Sequence, residues 1–103
     1  MAKLFQYHFS WDPSKARQSI RKHGVAFDRA ATVFHDPDAL SDFDEPHSQQ
    51  EDRWVTMGLD NTGTLLVVCH TYQDMSESSA KIRVISARKA TRTEAKQYRK
   101  GIA

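Results

Sequence analysis

Four cations fall within ten residues near the end of the chain: Arg83, Arg88, Lys89 and Arg92. Arg83 and Arg88 carry the planar guanidinium fork that holds phosphate oxygens through paired hydrogen bonds. His70 adds an imidazole that titrates near neutrality and can take or give a proton. A base that removes a neighbouring hydroxyl proton, with arginines that stabilise the charged phosphorane, can break a phosphodiester without metal. General acid–base help is worth roughly 10²–10⁴ in rate, and one well-placed donor roughly 10²–10³. His70, Arg83 and Arg88 are therefore the candidate catalytic residues. Arg53, Lys89 and Arg92 are candidate phosphate contacts, with Glu51, Lys22 and His23 in supporting positions.

Each candidate also has a structural explanation. His70 fits a histidine bonded to a neighbour inside the sheet, and Arg83 fits an ion pair with Glu51. Arg88 and Lys89 stand where a strand meets a helix, open to water. Glu51 and Arg53 are two apart, so on one strand they share a face and suit a bridge as well as a cleft. Lys22 and His23 close a helix, where cations oppose its negative end. A metal site is not expected. Cys69 and His70 are adjacent on a strand and point to opposite faces, and the five histidines show no ligand spacing. The sequence has neither a glycine-rich phosphate loop nor a nucleophile elbow, and no cofactor is expected.

The strand that must position these cations begins at Lys81, with β-branched Ile82, Val84 and Ile85 suited to a sheet interior. A charged side chain cannot enter a core unpartnered, so Arg83 must face a groove, a carboxylate or water. Thr91 followed by Glu94 is a capping box that opens a terminal helix. In that helix Ala95, Tyr98 and Ile102 form one side, and Arg92, Lys96 and Arg99 another.

At the other end, Phe5, Tyr7, Phe9 and Trp11 alternate with Leu4, Gln6, His8 and Ser10, a strand with one buried face. Asp12-Pro13 opens a helix and Gly24 closes it. Phe27, Ala30, Ala31 and Phe34 place a second helix over about 28–34, ended by Asp36-Pro37. Ala39, Leu40 and Phe43 supply a short edge strand in an otherwise acidic stretch. Residues 53–59 and 65–72 form a hairpin around Asp60-Asn61-Thr62-Gly63-Thr64. The unbroken apolar run at 65–69 predicts a central strand covered on both faces. The serine-rich stretch 73–80 reads as a flexible loop. The expected order is β-α-α-β-β-β-β-α: an α+β, mostly antiparallel sheet with two helices on one face and a short C-terminal helix.

With 103 residues, 39% hydrophobic and 27% charged, the chain is expected to be a single domain spanning 1–103. It lacks a membrane-length apolar run and a secretory h-region. Its single cysteine agrees with a reducing compartment, so a cytoplasmic location is expected. The net charge of +2 hides a segregation. Residues 1–24 carry five cations against Asp12, 25–64 carry two against nine acids, and 65–103 carry eight against three. Basic ends around an acidic middle suit one anionic ligand and one cationic partner, or neutralise each other in the fold.

Several fragments, in order, resemble the BrnT-type toxin family. They are Trp11-Asp12-Pro13 with Lys15, Lys22-His23-Gly24-Val25 with Phe27, and Ala30-Ala31-Thr32-Val33-Phe34 with Asp36-Pro37. Glu51-Asp52-Arg53-Trp54 with Gly58 follows, then Ile82-Arg83-Val84-Ile85-Ser86-Ala87-Arg88-Lys89-Ala90-Thr91 with Glu94 and Tyr98. The resemblance implies a RelE-like fold and a type II toxin–antitoxin endoribonuclease that stops translation in a stress response. It implies a BrnA-type ribbon-helix-helix antitoxin as partner, with operator DNA reached only through that antitoxin and no membrane involved. Ala26, Tyr72 and the long 73–80 stretch depart from the family pattern. The competing expectation is a small basic RNA- or protein-binding module without catalysis.

Overall fold

The sheet is assembled on Ser79–Lys89 (β6), its longest strand, whose Ala80, Ile82 and Val84 are buried at alternate positions. The computed structural model of the protein describes residues 4–102, with the backbone alone at 102. The chain runs Gln6–Trp11 (β1), Pro13–His23 (α1), Phe27–Ala31 (α2), Leu40–Phe43 (β2), Trp54–Leu59 (β3), Leu65–His70 (β4), Gln73–Ser76 (β5), β6 and Arg92–Ile102 (α3). The strand order is β1-β6-β4-β3-β2, with β5 also paired to β6. Only the β1–β6 pairing is parallel among the described strands. This is the expected α+β architecture with a mostly antiparallel sheet.

Local signals act where the sequence placed them. Asp12 Oδ1 accepts from the Ser14 amide at 2.8 Å, and Gly24 closes α1 at φ 66, a left-handed conformation open to glycine. At α3, Thr91 and Glu94 exchange hydrogen bonds of 2.8 and 3.2 Å, completing the capping box. The second helix is shorter than expected. After Ala31 it tightens into a 3₁₀ turn, Thr32–His35, where the Thr32 hydroxyl donates to the Arg29 carbonyl at 2.6 Å.

The expected loop at 73–80 is instead a hairpin of β5 with the start of β6. Ser76 and Ser79 close it, their hydroxyls 2.7 Å apart. All four β5 residues are exposed, so its pairing carries no buried alternation to read in the sequence.

Helices α1 and α2 cover one face. Val25, Phe27, Ala30 and Val33 pack there on Leu66, Val68, Val84 and Ala87, with Phe9, Trp11 and Phe34 at the margin. On the other face Met57, Val67 and Tyr98 form a smaller cluster beneath α3. Fully burying a side chain of this size stabilises the fold by about 1.5–3 kcal/mol. The side chain of Ile102, expected on the same stripe as Tyr98, lies outside the described residues. Among the described residues no helix is long and apolar enough to cross a membrane.

One register shift governs which side chains share a face. Cys69 pairs with Ser86 but His70 pairs with Val84, leaving Ile85 as the extra residue of a β-bulge. Val84 and Ala87 are three apart yet both enter the same core cluster. Alternation therefore restarts at the bulge.

The β3–β4 turn is held by Asp60, whose Oδ1 accepts from Thr62 and Thr64 and whose Oδ2 accepts from Arg29 Nε and Nη2 at 2.9 and 2.7 Å. Burial alone would raise the Asp60 carboxyl. The bonds from Thr62, Thr64 and Arg29 outweigh it and hold the pKa at about 2, below the ordinary 3.8. Its stabilisation is complete above the ordinary value and is lost as pH falls through about 2. In denaturant unfolding, Asp60→Asn is expected to cost about 1.5–3 kcal/mol at pH 7. The difference from the parent should shrink as pH is lowered from 4 towards 2. A cost that stays constant over that range would contradict the ionised pairing.

Candidate active site

Arg83 and Lys81 are two apart on β6 and share the face opposite α1 and α2. On that face Ser10 of β1 lies in register with Arg83. Thr71, just past β4, clamps the Arg83 backbone from the other edge. Its amide donates to the Arg83 carbonyl at 3.0 Å, and its hydroxyl accepts from the Arg83 amide at 3.1 Å. Together with Glu51, Asp52, Tyr72 and Gln73, these residues line an open cavity of about 380 Å³.

Glu51 reaches this face from the segment before β3. That segment is braced by Ser48, which donates to the Asp44 carbonyl at 2.6 Å and accepts from the Arg53 amide at 2.9 Å. Arg83 Nη2 donates to Glu51 Oε1. Arg53 Nη2 lies 3.7 Å from the same oxygen. Arg53 Nε is buried and has no hydrogen-bond partner among the described residues. One carboxylate thus faces two guanidinium groups at the edge of a concavity that also holds Lys81. Arg83 and Glu51 both remain partly open to solvent, at 45% and 36% of their side-chain surfaces.

His70 is not brought to this cavity. It pairs with the core-facing Val84 and is 2% exposed. Its ring meets Phe34 edge-on at 4.7 Å. Nδ1 lies 2.9 Å from the Thr71 carbonyl, which can only accept, so Nδ1 carries the proton there. Nε2 lies 2.7 Å from the Thr56 hydroxyl. Burial lowers the His70 pKa, and the bond to Thr71 opposes that shift only in part. The ring is a neutral member of the sheet interior that touches the Arg83 cavity only through the backbone of Thr71.

Arg88 shares the face of Arg83 but stands five positions further along the strand, about 16 Å at ~3.3 Å per residue. Its fork is closed on Glu94, with bonds of 2.8 and 3.0 Å. Arg88, then the Thr91 cap bonds, overcome burial and hold the Glu94 carboxyl at about 2. Arg83 and Arg88 are therefore bonded to different carboxylates, Glu51 and Glu94. Lys89 and Arg92 are exposed at the junction of β6 and α3, away from the Arg83 cavity. Lys22 and His23 line a separate cleft with Lys15, Gln18 and the β6 segment at Ile85, Ser86 and Ala87. Among the described residues no three His, Cys, Asp or Glu side chains come together as metal ligands.

The structure thus gathers Arg83, Glu51 and Arg53 from the sequence candidates and adds Lys81, Ser10, Thr71 and Tyr72. Lys81 was readable from its two-residue spacing to Arg83. Ser10 was not, because its place depends on a parallel register with the far end of the chain.

The family model described as "Ribonuclease toxin, BrnT, of type II toxin-antitoxin system" matches residues 11–94. Among solved structures, the fold is similar to that of the Brucella abortus ribonuclease toxin BrnT, with a TM-score of 0.56 and 23% identity. That likeness covers 84% of this chain and 97% of the other. A search of curated proteins finds no match to the sequence.

The account of His70 is open to direct measurement. Nitrogen-detected NMR titration is expected to show its ring neutral, protonated on Nδ1, at pH values below the ordinary 6.5. A ring that titrates at or above that value would contradict the buried assignment.

Proposed function

The chain belongs to the BrnT family of ribonuclease toxins of type II toxin–antitoxin systems, and from that premise we propose that it cuts RNA internally at the Arg83 cavity, without a metal ion, and so arrests translation. The observation that carries this reading is the gathering of Lys81, Arg83 and Glu51 in one open concavity.

In this mechanism the phosphate takes the place of Glu51 on the Arg83 guanidinium, while Lys81 neutralises a second oxygen. An ion pair this exposed is worth only about 0–1 kcal/mol, so the exchange costs little. Glu51, released beside the ribose, accepts the proton of the 2′-hydroxyl. The 2′-oxygen bonds to phosphorus, the bond to the 5′-oxygen breaks, and water in the open cavity protonates the leaving oxygen. Arg83 stabilises the phosphorane. His70 is a positioning residue, since its bond to the Thr71 carbonyl braces the segment that clamps Arg83. Arg88 holds α3 in place, and Lys89, Arg92 and Arg53 draw the RNA backbone electrostatically.

The family implies an antitoxin partner. We take it to be a BrnA-type ribbon-helix-helix protein, the only route to operator DNA, and both to act in the cytoplasm. The competing module would bind RNA in a salt-dependent way and leave it intact.

Cleavage assays in EDTA on folded variants separate the two. Arg83→Ala is expected to lower the rate by about 10²–10³ and Glu51→Gln by about 10² or more. Full activity in both variants would overturn the site. Binding by the parent protein without cleavage would favour the module.

A further inference from the structure

On the opposite face of the sheet, Tyr7, Phe34, Trp54 and Tyr72 surround a second cavity of about 280 Å³, with His70 and Ser41 also in its lining. Tyr72 borders the Arg83 cavity as well, so the two concavities adjoin at the end of β4. Tyr7, Phe34 and Trp54 are only half-buried and Tyr72 is exposed. Partly exposed aromatics around one hollow offer flat π-faces to a flat partner, and a base stacked on such faces is held whatever its sequence.

The polar groups at the base of this hollow are arranged in one direction. His70 Nδ1 must donate to the Thr71 carbonyl, which leaves Nε2 of the neutral ring as an acceptor. The Thr56 hydroxyl therefore donates to Nε2. Its oxygen, 2.7 Å from Ser41 Oγ, then accepts the Ser41 proton. Ser41, which lines the cavity, has spent its only donor inward, and its oxygen keeps acceptor capacity. The hollow offers an acceptor to whatever enters it.

We propose that this aromatic pocket takes a nucleobase of the RNA strand whose phosphate lies at Arg83, and that Ser41 selects a base presenting an exocyclic amino group. The proposal rests on the Arg83 cavity being the phosphate site. Tyr72, as the shared wall, lets one nucleotide place its base in one hollow and its backbone in the other. Cytosine and uracil are the closest test: cytosine carries an amino donor at C4 where uracil carries a carbonyl acceptor, with N3 an acceptor in the one and a donor in the other.

The experiment uses short 2′-O-methyl cytidine and uridine oligomers, which bind but cannot be cut, with affinities measured on the full chain. The parent protein is expected to bind the cytidine oligomer about three- to tenfold more tightly, the worth of one net hydrogen bond. Ser41→Ala, at an exposed edge-strand position, should erase that ratio. Trp54→Leu should weaken both oligomers about five- to hundredfold. Arg83→Ala should weaken both alike and leave the ratio intact. A parent without preference, or Ser41→Ala and Trp54→Leu variants that bind as the parent does, would overturn the pocket while leaving the phosphate site standing. An Arg83→Ala variant with unchanged affinity would overturn the phosphate site, and the pocket would then stand or fall on the Ser41 and Trp54 results.

Discussion

Residues on a strand must alternate between its two faces, and a single extra residue at Ile85 resets that alternation. The consequences run through the whole molecule. Before the bulge, Ala80, Ile82 and Val84 fill the helix-covered core and Lys81 and Arg83 face the open side. After it, Ala87 returns to the core, and Arg88 emerges beneath α3 against Glu94. Because His70 pairs with Val84, it is committed to the covered face. Without the bulge, continued alternation would place Arg88 on the covered face, among apolar residues that offer it no carboxylate.

Among the described residues one ion pair, Glu51 with Arg83, joins the acidic middle of the chain to a basic end; the others are made within a segment. The acidic middle supplies Asp60 to Arg29 and Glu51 to Arg53 and Arg83. These pairs differ in strength for physical reasons. Asp60 is buried and accepts five hydrogen bonds from side chains and amides, so its charge is fixed in the structure. Glu94 is tied at once to Arg88 and to the Thr91 amide, so it cannot leave without uncapping a helix. Glu51 has neither constraint and shares one oxygen with two arginines. Of the carboxylates paired to arginine here, it is the one an incoming phosphate could replace at little cost.

Much of the architecture was legible in the sequence because it rests on local chemistry. Asp12-Pro13 and Gly24 bound the first helix, Thr91 and Glu94 cap the last, and the apolar run of β4 marks the strand at the centre. The hairpin at β5 was not legible, since its polar residues pair without burying a face. The site was legible only in part. Arg83, Glu51 and Arg53 were singled out, yet separating His70 from Arg83 required strand faces that the bulge decides, and separating Arg88 required its pairing with Glu94. Ser10 joins the cavity through a parallel register between the two ends of the chain, and no local pattern encodes such a pairing.

The central claim is that phosphate is bound on the open face of β6 while His70 stays within the covered one. A crystal structure of the protein with an uncleavable 2′-O-methyl RNA oligomer tests it most directly. The account predicts a phosphate bonded to Arg83 and Lys81, with Glu51 displaced from the guanidinium and His70 still bonded to Thr56 and Thr71. A phosphate seated instead in the cleft of Lys22 and His23, or on an Arg88 released from Glu94, would contradict it.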